Sequence, residues 1–121
     1  MKVRWTSESL RLRITPSELA ALLAGDMVRQ SAPFPGGWVA TLAPGPATRC
    51  HSTAPGRSDI ELAPEDLASL ADPTSEGVYP TVGGLRLIVE KDFPCVHPRA
   101  SAALEHSETF PAPEGFAERK A

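Results

Sequence analysis

The sequence predicts a single-domain α+β fold, an antiparallel sheet or partly closed barrel carrying two short helices. Three observations predict it. Leu10-Arg11-Leu12-Arg13-Ile14 alternates strictly between apolar and charged residues, the period of a half-buried strand. Two segments, opening at Pro16 and Pro64, pair a proline start with a narrow leucine stripe, as short amphipathic helices do. Finally, a chain of 121 residues that is 41% hydrophobic can fill one core and not several.

The elements follow in order. Residues 2–5 form a short strand or extend the next one through the turn-like Thr6-Ser7-Glu8-Ser9. In the strand 10–14, Leu10, Leu12 and Ile14 face the core, and Arg11 and Arg13 face out. Thr15 and Glu18 have the spacing of a capping box, Pro16 takes the first helical position and Gly25 supplies a left-handed stop, so a helix spans 16–24. Met27–Phe34 reads as a strand ended by Pro35-Gly36-Gly37, with Trp38–Leu42 returning as its hairpin partner. Thr48–Thr53 is a further strand, Asp59-Ile60-Glu61-Leu62 alternates again, and a second helix covers 63–71 before Asp72-Pro73. Gly83-Gly84 turns the chain into its most apolar strand, Leu85–Glu90.

Two of these segments align without gaps. Leu12–Leu22 matches Ile60–Leu70 at an offset of 48, each copy a strand followed by a proline-started helix and a further pair of strands. Two βαββ units about a pseudo-two-fold axis would bury Leu19/Leu22/Leu23 and Leu67/Leu70 on one antiparallel sheet.

Composition narrows the function classes. A net charge of −3 and the lack of a long basic stripe argue against nucleic-acid binding, and Arg4, Arg11 and Arg13 read as a solvated strand face. The longest apolar run falls short of a membrane span, and no signal-peptide core follows Met1, so the expected location is cytoplasmic. Thirteen prolines and nine glycines mark stiff connections and a tail, dividing the chain into a domain over 1–99 and a polar tail over 100–121.

The densest functional chemistry is Glu90-Lys91-Asp92-Phe93-Pro94-Cys95-Val96-His97-Pro98-Arg99, at the exit of the last strand. Glu90, Lys91, Asp92, Cys95, His97 and Arg99 form the candidate functional surface, because strand exits are where scaffolds carry function. A thiol activated by the imidazole and cations, a metal held by Cys50, His51, Cys95, His97 and His106, or paired carboxylates are its chemical alternatives. Cys50 and His51 point to opposite faces of a strand and cannot easily share one ion. No phosphate-binding glycine motif or zinc-protease motif occurs. No catalytic residue, metal or cofactor is therefore assigned. Phe110 and Phe116 are the large apolar groups of the tail beyond residue 107 and imply that it docks, on its own domain or on a partner.

Ser9-Leu10-Arg11-Leu12-Arg13-Ile14-Thr15 with Ser17-Glu18, Glu90-Lys91-Asp92-Phe93 with Cys95 and Arg99, and Phe110-Pro111-Ala112-Pro113 resemble the opening, closing and tail motifs of a family of small uncharacterised bacterial proteins. The segment 100–106 is less acidic than that pattern. The resemblance implies fold and extent but no activity, and it directs attention to Lys91, Asp92, Cys95 and Arg99 as a shared surface. The expected function is a non-enzymatic binding or accessory module of the bacterial cytoplasm, engaging a protein partner or a second copy, with no nucleic acid and no membrane. The rival is a small enzyme or metal protein using Cys95 with His97, Lys91 or Asp92.

Overall fold

A computed structural model describes residues 1–94 and 109–113. The elements run β1 (Lys2–Trp5), β2 (Ser9–Ile14), α1 (Pro16–Leu23), β3 (Val28–Ser31), β4 (Val39–Pro44), β5 (Arg49–His51), β6 (Arg57–Leu62), α2 (Pro64–Ala71), β7 (Gly77–Val78), β8 (Thr81–Val82) and β9 (Leu85–Lys91). The fold is a small α+β domain, as the alternation and the proline-started helices predict.

The strands form two mixed sheets. One has the order β1-β2-β9-β7, with β8 also on β9, and the other the order β3-β4-β6-β5. The expected antiparallel sheet is replaced at both centres by parallel pairs, β2 with β9 and β4 with β6. Period-two alternation fixes which face of a strand is buried but says nothing of its neighbour or direction. The hairpin partners are nevertheless as expected: β3 and β4 pair antiparallel across Pro35-Gly36-Gly37, with Val28 opposite Leu42. Gly83 and Gly84 take φ of 56° and 83°, the left-handed pair that a two-residue hairpin turn needs between β8 and β9.

The strand bounds of β2 and the helix bounds of α1 fall on those of β6 and α2 when shifted by 48 positions. Each sheet combines the first hairpin of one half with the last strands of the other. The inner faces enclose one core in which Leu12, Ile14, Leu42, Leu62, Leu70, Leu87 and Val89 are wholly closed to water. Leu19 and Leu22 are buried and Leu67 packs partly against the same cluster. Leu23, assigned to the apolar stripe of α1 from its spacing, is instead 53% exposed, because the buried face of the helix is centred on Leu19 and Leu22.

Candidate functional site

Three of the six residues marked out by the sequence lie within the described chain, and each is engaged by a neighbour. The alternation along β9 sends Glu90 outward and Lys91 inward, and both are nearly closed to water together with Asp92. Glu90 Oε1 lies 3.0 Å from Arg11 Nε as an ion pair off the hydrogen-bonding line, and Tyr79 Oη donates to Oε2 at 3.2 Å. Gly77 stands opposite Glu90, where a Cβ would meet the Val89 carbonyl at 2.6 Å. Lys91 Nζ donates to the Asp72 carbonyl at 2.8 Å, so a cation closes the C-terminal end of α2. Burial lowers the Lys91 pKa, and the nearby Asp72 charge partly opposes that shift. Asp92 Oδ2 sits 3.0 Å from Lys2 Nζ.

The backbone around Asp92 continues this tie. Its N–H donates to the Ile14 carbonyl at 2.9 Å and its carbonyl accepts from Phe110 N–H at 2.9 Å. Phe110 meets Phe93 edge to face at 6.0 Å, and its ring lies 5.5 Å from Lys91 Nζ. Among the described tail residues, Phe110 thus meets the chain's own domain. Residues 90–92 fasten β1, β2, α2 and this segment together. Cys95, His97, Arg99, His106 and Phe116 lie outside the described residues.

Cys50 and His51 do point to opposite faces. Cys50, opposite Ile60, packs partly against the core, and burial followed by the Asp59 charge pushes its thiol pKa up. His51 is exposed on the outer face. No group of three or more potential metal ligands occurs among the described residues.

Two features of β1 carry the accessible chemistry, and the sequence reading passed over both. Among the described residues strand β1 pairs with β2 alone, and its other edge is free of them. Its register puts Val3 and Trp5 opposite the core residues Leu12 and Leu10, so its inner face continues the apolar core to the rim of the sheet. There the two sheets part. A groove of about 450 Å³ opens between β1 and the β3–β4 hairpin, lined by Met1, Val3, Trp5, Gln30, Pro33, Trp38 and Ala40 among others. Trp5 and Trp38, the two tryptophans of the chain, meet edge to face across it while remaining 38% and 49% exposed.

The other side of β1 is cationic. Lys2 stands opposite Arg13 and Arg4 opposite Arg11, and directly opposed residues share a face. Arg86, opposite Ser9, adds a fifth cation to the same outer surface. The signal for both features was present as the alternation Met1-Lys2-Val3-Arg4-Trp5, a second two-sided strand beside the first.

No helix among the described residues is long and apolar enough to cross a membrane. No curated protein and no solved structure matches the chain. The model of a family of unknown function, DUF7009, matches residues 1–114. That span takes in both sheets, both helices and the docked segment around Phe110, and the chain is accordingly a member of this family of unknown function.

Proposed function

We propose that the chain is a non-enzymatic binding module that takes an extended segment of a protein partner into the groove between β1 and β3. The carrying observation is the open groove of about 450 Å³ flanked by both half-exposed tryptophans at the free edge of a sheet. An unpaired strand edge offers a row of backbone N–H and C=O groups to an added strand, and flanking pockets then select its side chains. Tryptophan concentrates binding energy because it buries a large rigid surface at little entropic cost. Gln30, on the inward side of β3, supplies one polar group to orient the guest. Residues 90–92 serve this reading indirectly, since Asp92 holds Lys2 and with it the course of β1.

Selection of displayed heptapeptides against the full chain tests the proposal. Both tryptophans border the groove, so their fluorescence reports occupancy there directly. Selected peptides should shift the tryptophan emission, and Trp5→Ala or Trp38→Ala should weaken them at least tenfold without lowering the melting temperature by more than a few degrees. Peptides that bind both variants as well as the parent would overturn it. Sedimentation at rising concentration identifies the case in which the added strand comes from a second copy.

A further inference from the structure

The free edge of β1 has two chemically opposite sides, and any strand laid along it meets both at once. Val3 and Trp5 point into the groove, whereas Lys2 and Arg4 point to the outer surface, where Arg13 and Arg11 stand directly behind them on β2. A shallow depression on that surface is lined by Lys2, Val3, Arg4, Arg11 and Arg13. Two of the cations have carboxylate partners: Arg11 lies beside Glu90 and Lys2 beside Asp92. Arg4, Arg13 and Arg86 are exposed and make no ion pair among the described residues. On the outer face of the other sheet Arg49 and Arg57 are matched by Glu61 and Asp59, which leaves Arg29 as its one arginine without an ion pair among the described residues.

Resting on the reading of the groove as a peptide site, we propose that its occupant is an acidic strand in which apolar and carboxylate residues alternate. Cross-strand neighbours interact directly across an antiparallel or parallel edge, so the guest's outward positions come to lie against Lys2 and Arg4. Opposite charges at those positions are favourable and like charges are not. The guest's inward positions lie against Val3 and Trp5 and must be apolar. The period of two on β1 thus imposes the same period on its partner. A nucleic acid fits the surface less well. Its continuous phosphate backbone would cross Glu90 and Asp92, which are set into the same face, and would approach a chain of net charge −3.

The test uses the full chain and three capped heptapeptides with valine at alternate positions and Glu, Gln or Lys between them, followed by tryptophan emission. The Glu peptide should bind about tenfold more tightly than the Gln peptide, and the Lys peptide more weakly than either. That preference should shrink with added salt. Arg4→Glu, at a position with no ion pair among the described residues, should reverse the order of the Glu and Lys peptides. Equal binding of the Glu and Gln peptides, with both lost in Trp5→Ala, would refute the acidic occupant and leave the groove as a peptide site. Binding of none of the three would remove the groove reading and this inference with it. A single-stranded oligonucleotide that binds without changing tryptophan emission, and fails on Arg13→Glu, would assign the cationic face to nucleic acid instead.

Discussion

Asp59 lies on the outward side of β6, yet it is only 7% exposed, because its neighbours close over it. Burial by itself would raise its pKa. The Thr41 and Thr53 hydroxyls, donating at 2.7 Å and 2.9 Å, together with Arg57 Nε at 2.9 Å, more than reverse that and hold the carboxyl down at about 2. The ordinary value is 3.8, so the unfolded chain takes up the proton first as pH falls. Stability from this group is therefore complete above the unfolded value and drains away between 3.8 and about 2. The amount at stake is about 2 kcal/mol. Asp59→Asn should lower stability to urea by that order at neutral pH, since an amide nitrogen cannot accept from those donors. The deficit relative to the parent should vanish towards pH 2. A deficit that is the same at every pH would show that the hydroxyls and Arg57 do not hold the charged form.

The two helices show how the same element is started in two ways. In α1 the Thr15 hydroxyl accepts from Glu18 N–H at 3.3 Å, and Glu18 Oε1 accepts from Thr15 N–H at 2.9 Å, a complete capping box. The corresponding positions of α2 hold Ala63 and Asp66, and Ala63 offers no side-chain cap. Aspartate is one methylene too short to close the box. Thr48, in the loop before β5, supplies the missing link: its hydroxyl accepts from Ala63 N–H at 2.8 Å and donates to Asp66 Oδ2. Thr48→Val should cost about 1–3 kcal/mol by leaving a buried N–H without a partner. Adding Asp66→Glu should restore part of that loss, because the longer side chain reaches the N–H itself. Denaturant titration of the three variants checks this, and a double variant no better than Thr48→Val would sink it. Thr15→Ala should cost about 1 kcal/mol by the ordinary loss of a cap. Elements of this kind were legible in the sequence because their causes are local. Thr15 to Gly25 contains every start and stop signal of α1, and Leu10 to Ile14 its own burial pattern. The Thr48 cap was not legible, since the residue that completes α2 belongs to a different loop. The groove escaped for the same reason, since Trp5 stands on β1 and Trp38 on the connection just before β4. The cluster at 90–92 stands in the sequence as a concentration of charge, but its partners Lys2, Arg11 and Asp72 come from distant parts of the chain and could not be read from it.

At the scale of the whole molecule, the two halves are interlocked rather than placed side by side. Ser9 of β2 pairs with Arg86 of β9 as Arg57 of β6 pairs with Val39 of β4, so each half completes the other's sheet. The correspondence reaches the edges: Val3 on β1 stands opposite Leu12 as Cys50 on β5 stands opposite Ile60. The pair β2–β9 joins segments far apart in sequence whereas β4 and β6 are near neighbours along the chain, and the side chains of both pairs meet in one continuous core. The β2–β9 contacts form only after a long loop is closed, so the sheet they centre has no locally stable precursor of full width. A break in the Pro44-Gly45-Pro46 connection separates β2 from β9 and β4 from β6 while leaving every hairpin intact. The fragments 1–47 and 48–121 should then each fail to show a cooperative thermal transition, because Leu12, Leu42, Ile60 and Val89 would lose their facing partners. Mixed in equal amounts, they should recover the near-ultraviolet circular dichroism of the intact chain and its tryptophan emission, since Trp5 and Trp38 both belong to the first fragment but meet across sheets that need the second. A fragment that unfolds cooperatively on its own would mean that one half carries a sufficient core, and the interlocked sheets would no longer account for the stability of the fold.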